Sequence, residues 1–157
     1  MSDEIARAKL DFDPATGEIA HDLVSPYIPH AATGLLHLPR FLSKIRRHLR
    51  GDLPKSYQRN FCKGFDRFLC LHLGVEPQAV IDAVRDARDD ADLDARLLAI
   101  FPPDVRAAKW NRELVQKGMS EMGREALRDA KNKMGIGDRA DLISFADMIE
   151  YDEGRLA

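Results

Sequence analysis

Cysteine is scarce in this chain, and long apolar runs, strand-like alternation, internal repeats and catalytic signatures are missing; each absence removes a class of answer. Two cysteines, Cys62 and Cys70, among 157 residues exclude a disulfide-stapled scaffold, which a chain of this length does not need in order to bury a core. Read on one helix, they stand about 12 Å apart at about 1.5 Å rise per residue, beyond disulfide reach, so both are predicted to be free thiols in a reducing compartment. No apolar stretch approaches the roughly 18 residues of a membrane span. The opening MSDEIARAKLDFD carries acids where a secretory leader needs a basic and then an apolar region. Both features predict a soluble, cytoplasmic protein with no membrane association. No cofactor signature is present, and no metal site is predicted: Cys70 and His72 point to different sides of a helix, whereas helical zinc ligands stand three or four apart.

What is present is helical punctuation. The stretch 1–36, with turn formers at Asp13-Pro14, Gly17, Ser25-Pro26 and Pro29, reads as an irregular arm packed on a helical domain at 37–157. Seven helices are predicted. The first opens at Pro39 and stops at Gly51, with Leu38, Leu42, Ile45 and Leu49 on one stripe and Arg40, Ser43, Lys44, Arg47 and Arg50 on a cationic back. The second runs from about Asn60 to Leu73. Pro77 opens the third, with Val80, Ile81, Val84 and Ala87 inward, and Asp90 or Asp92 caps a short fourth, carrying Leu93, Leu97 and Leu98. The fifth follows Pro102-Pro103 and carries Ala107, Trp110 and Leu114. Ser120 caps the sixth, which bears Met122, Leu127, Ala130 and Met134. Asp138 and Asp141 form a capping pattern for the seventh, with Leu142, Phe145, Ala146 and Ile149. The fold class is all-α, a compact single domain.

Charge is unevenly spread. The formal net charge is −2, yet residues 38–75 hold nine Lys or Arg against only Asp52 and Asp66. Such a local excess marks a surface that attracts negative partners. Around the predicted start of the second helix, Arg59 and Lys63 add cations at an end whose bare N–H groups already favour an anion. Arg40, Lys44, Arg59 and Lys63 are therefore candidates to hold a ligand's negative charge, with Tyr57 donating a hydrogen bond and Asp66 orienting one cation. Against this stands an internal reading, in which Asp66 or an acid of the carboxy-terminal tail supplies the counter-charge. The expected partner is an anionic small molecule or an acidic protein segment. Nucleic acid is disfavoured by a pI of about 6.2 and by the lack of interleaved aromatic residues for stacking bases. The competing class is an enzyme using Tyr57, Asp66 or Cys62, the last being activated if it sits in a helix's first turn beside Lys63. A structural or adaptor protein is the third. His72, in line with Phe61, Phe65 and Phe68, reads as a core histidine.

Leu38-Pro39-Arg40, Lys44 and Arg46, Leu49, Gly51, Tyr57, Phe65-Asp66-Arg67-Phe68, Leu73-Gly74-Val75, Trp110, Asp141-Leu142, Phe145, Asp147 and Asp152 together resemble the bacterial family termed domain of unknown function 5069, from about Ser25 onward. The resemblance implies a bacterial, cytoplasmic, helical protein. The family pattern has Asp-Lys where this chain has Ser43-Lys44, and Cys-Pro-Leu-Asp where it has Lys63-Gly64-Phe65-Asp66, so Cys62 does not fall on the family's cysteine position. Arg40, Lys44, Tyr57 and Asp66 match the pattern.

Overall fold

In a computed structural model of the chain, residues 19–20 and 22–156 are described. Among them are eight helices and no strand, so the fold is all-α. In chain order they are α1 (Leu38–Arg50), α2 (Lys55–Gln58), α3 (Phe65–Leu73), α4 (Pro77–Asp86), α5 (Asp90–Ile100), α6 (Ala107–Gln116), α7 (Glu121–Lys133) and α8 (Phe145–Asp152). The eighth helix beyond the seven predicted is α2, a single turn. The predicted second helix starts late, at Phe65, because Cys62 (φ 61°) and Gly64 (φ 53°) take positive-φ conformations that a right-handed helix does not tolerate.

Most boundaries follow the predicted marks. Pro39 lies in the first turn of α1, and Gly51 closes it at φ 77° by donating to the Arg47 and His48 carbonyls. Ser120 caps α7, its hydroxyl accepting from the Gly123 N–H. Two caps differ from expectation. Asp89, not Asp90 or Asp92, caps α5 by accepting from the Asp92 N–H. Ser144, not Asp138, caps α8 by accepting from the Asp147 N–H. Asp138 lies in exposed turn structure. Likewise Leu49, Leu98 and Met122, named among the apolar residues of their predicted helices, are exposed.

The main core joins α1, α3, α4, α5 and α6 through Leu38, Phe41, Ile45, Leu69, Val80, Leu97, Trp110 and Leu114. A second cluster gathers α7 and α8 around Leu127, Leu142, Phe145 and Met148. Phe65 packs on both. A third, small cluster seats Ala20 and Leu23 on Leu53 and Tyr57. The segment 24–36 places Leu35 in the main core and is tied there by hydrogen bonds: Trp110 Nε1 donates to the Leu36 carbonyl at 2.8 Å, and Asn111 both accepts from the Leu36 N–H and donates to the Gly34 carbonyl, each at 2.9 Å. Of the arm predicted at 1–36, residues 1–18 and 21 lie outside the described residues. Among the described residues no helix is long and apolar enough to cross a membrane.

Candidate functional site

The helix α1 was expected to turn a cationic back to solvent. Instead Arg40 is 4% and Lys44 5% exposed: Val24 and Glu153, just past α8, sit on Arg40, and Asp66 of α3 sits on Lys44. A buried guanidinium or ammonium persists only when it is paired. Each of these has a carboxylate of its own, and these two carboxylates organise the site.

The first is Asp66, in the opening turn of α3 and fully buried. Lys44 Nζ lies 2.7 Å from its Oδ2, His37 Nε2 lies 2.7 Å from its Oδ1, and the Cys62 backbone N–H donates to Oδ2 at 2.9 Å. Burial pushes the Asp66 carboxyl up, but the charge of Lys44 and the His37 hydrogen bond outweigh it and hold the group below its ordinary range. Burial pulls the Lys44 ammonium below its own ordinary value, against the attraction of Asp66. Three donors on one carboxylate keep the pair ionised.

Burial drives the His37 imidazole down to about 4, with Asp66 opposing and Lys44 and Arg40 adding to the fall. The ring is neutral at pH 7. Against an ionised carboxylate only an N–H can bond, so the proton sits on Nε2 and Nδ1 carries a lone pair. Nδ1 is the only buried side-chain nitrogen or oxygen without a partner among the described residues. The backbone here is also under strain: His37 occupies the N-cap of α1 at φ 70° and makes no side-chain cap, where Ser, Thr, Asp or Asn would close the helix start.

The second carboxylate is Glu153, just past α8. Arg40 grips it with both ends of its fork, NH1 to Oε1 at 2.9 Å and NH2 to Oε2 at 2.6 Å, and Arg155 NH2 reaches Oε1 at 2.6 Å. Burial raises the Glu153 carboxyl, but the Arg40 hydrogen bonds and charge prevail and lower it. Both arginines also hold the passing backbone, Arg40 at the Val24 carbonyl and Arg155 at that of Leu23. Tyr57 stands alongside, its oxygen accepting from the Ala20 N–H at 3.2 Å, while burial pushes its hydroxyl up to about 12.

The structure therefore brings together four of the six residues singled out from sequence, Arg40, Lys44, Tyr57 and Asp66, and leaves Arg59 and Lys63 exposed on the turn between α2 and α3. The internal counter-charges are Asp66 and Glu153. Cys62 corrects the expectation of an activated thiol. It lies before α3 rather than in it, and burial together with the Asp66 charge pushes the thiol up to about 11. Both cysteines are free. His72 is half-buried, with Nε2 2.8 Å from the Val105 carbonyl. Among the described residues no three His, Cys, Asp or Glu side chains form a metal-binding group.

Sequence reasoning passed over His37 and paired no particular tail acid with Arg40. The sequence did hold one signal for His37: a histidine directly before Leu38-Pro39, in the cap position of a well-marked helix, is out of type for a cap. Glu153 carries no such mark, since its role depends on how α8 docks. Compared with known proteins, residues 20–155 match the family model described as domain of unknown function (DUF5069). No curated protein and no solved structure matches the chain.

Proposed function

We propose that this chain, which belongs to the DUF5069 family, is a binding module for a carboxylate, presented by a small anionic molecule or by an acidic segment of a partner protein. The observation that carries the reading is the closing of two arginines, Arg40 and Arg155, on one buried carboxylate. A planar fork matched to two oxygens is the geometry by which arginine recognises carboxylates, and Glu153 here takes the ligand's place. Arg155 is 27% exposed, so the outer arm of the cradle meets solvent. The exposed Lys55, Arg59 and Lys63 nearby in sequence supply the field that draws an anion in.

Binding is favoured over catalysis by the states of the available groups. Tyr57 at about 12 and Cys62 at about 11 are protonated at neutral pH, so neither serves as a ready base or nucleophile. His37, at about 4, takes a proton at pH 7 only at a cost of about 4 kcal/mol.

A tethered carboxylate competes at an effective concentration on the order of millimolar or more, so wild-type protein binds free carboxylates weakly. Isothermal titration with acetate, citrate, inorganic phosphate and an oligoglutamate peptide tests the reading. Glu153→Ala is expected to bind citrate or the peptide at least about tenfold more tightly than wild type, and Arg155→Ala on that background to abolish the gain. A folded Glu153→Ala protein that binds none of the four defeats the proposal.

A further inference from the structure

We propose that Nδ1 of His37 is the acceptor of a second, buried site that takes a small neutral molecule bearing a hydroxyl or amide N–H. The site stands independently of whether Arg40 and Arg155 bind a carboxylate.

Three features of His37 converge. Its imidazole is 1% exposed, with Nε2 committed to Asp66 at 2.7 Å and Nδ1 unpartnered. Its backbone holds a left-handed φ of 70°, which a non-glycine residue keeps only when its surroundings enforce it. Its position at the N-cap is spent without a cap. A residue serving only to start α1 would be Ser, Thr, Asp or Asn. A residue serving only to bond Asp66 would not need a second ring nitrogen buried without a donor, since such atoms are nearly always paired in folded proteins.

The charges around the ring select the ligand class. The Asp66 carboxylate fixes the proton on Nε2, so Nδ1 offers a lone pair and calls for a donor. A carboxylate or a phosphate monoester dianion has no proton to give at neutral pH. An ammonium has protons, but burial, the largest influence on this ring, disfavours positive charge more than the Asp66 carboxylate favours it. Neutral O–H and N–H donors remain. The Phe65 ring, edge-on to the imidazole at 5.5 Å between centroids, gives such a molecule an apolar wall, and Phe65 sits where the main core meets the α7–α8 cluster.

The test uses the full chain with histidine rings labelled in nitrogen-15 at pH 7, titrated with ethylene glycol, acetamide and phenol, and with acetate and methylammonium as charged controls. At least one neutral probe is expected to move the His37 Nδ1 resonance saturably toward the hydrogen-bonded position while the proton stays on Nε2, and the charged probes are expected to leave it in place. Asp66→Asn, whose amide can donate to Nε2 and so send the ring proton to Nδ1, is expected to weaken the effect by at least about tenfold, the worth of one hydrogen bond. An Nδ1 protonated in wild type at pH 7 overturns the proposal, as does an Nδ1 resonance that no neutral probe shifts at saturation. A response to acetate or methylammonium as large as that to the neutral probes overturns the ligand class.

Discussion

The ammonium of Lys44 and the carboxylate of Asp66 lie 2.7 Å apart with side-chain exposures of 6% and 0%, so the charge of each is answered inside the protein. Removing one member of such a pair strands the other. Lys44→Met or Asp66→Leu alone is expected to cost about 3–5 kcal/mol, and the double variant to recover a large part of the summed loss. Urea unfolding of the two single variants and the double variant measures the coupling. Additive losses would mean that the two charges do not depend on each other.

The His37–Asp66 contact gives the fold a defined response to acid. The imidazole falls from 6.5 unfolded to about 4 folded, so between those values the unfolded chain binds the extra proton and stability rises with pH. Lowering the pH from 6.5 to 4 is expected to remove roughly 3 kcal/mol through this group alone. Asp66 and Glu153 are both held below their ordinary values. Their contribution is present above the unfolded carboxylate range and is lost at still lower pH. Thermal melts across pH 4–7 test this, and His37→Gln is expected to flatten the upper part of the slope.

Cys62 is expected to be a sluggish thiol. Its alkylation midpoint is expected near pH 11, where burial and the Asp66 charge place it, and Cys70 near pH 12. Iodoacetamide kinetics against pH provide the measurement. Asp66→Asn removes the nearby negative charge and is expected to bring the Cys62 midpoint down; a midpoint near 8.5 in wild type contradicts the picture.

Two serines close helices that the surrounding sequence marks unequally. Ser120→Ala and Ser144→Ala each remove a side-chain acceptor for a helix N–H and are expected to cost about 1 kcal/mol. Asp138→Ala, at an exposed turn, is expected to change stability by less than about 0.5 kcal/mol. Chemical denaturation of the three variants ranks them.

The legible part of this fold is its punctuation. Pro39 and Gly51, Ser120, Pro77 and the apolar stripes of α4 and α6 act locally, so proximity in sequence reports them. The start of α3 escaped because nothing in Asn60 to Lys63 announces that Cys62 will take φ 61°. Within the candidate site, Arg40, Lys44, Tyr57 and Asp66 stood out through the basic stretch they belong to and through a family pattern. Their burial did not, because amphipathicity assumes that one side of a helix meets water. Here Val24 and Glu153 cover the other side at Arg40, an arrangement set in part by a contact more than a hundred residues apart in the chain, that of Arg40 with Glu153.

That last contact has a bearing on how the protein comes into being. Arg40 and Glu153 are separated by 113 positions, so on the ribosome the guanidinium of α1 emerges long before the carboxylate that will neutralise it. Synthesis from the amino end forces the early helices to wait with a sticky, half-apolar cationic flank until the final turn arrives. Such late closure penalises interrupted translation: a chain stopped short of α8 keeps its hydrophobic centre largely specified yet cannot finish its seam, which makes it a substrate for chaperones and proteases rather than a smaller working protein.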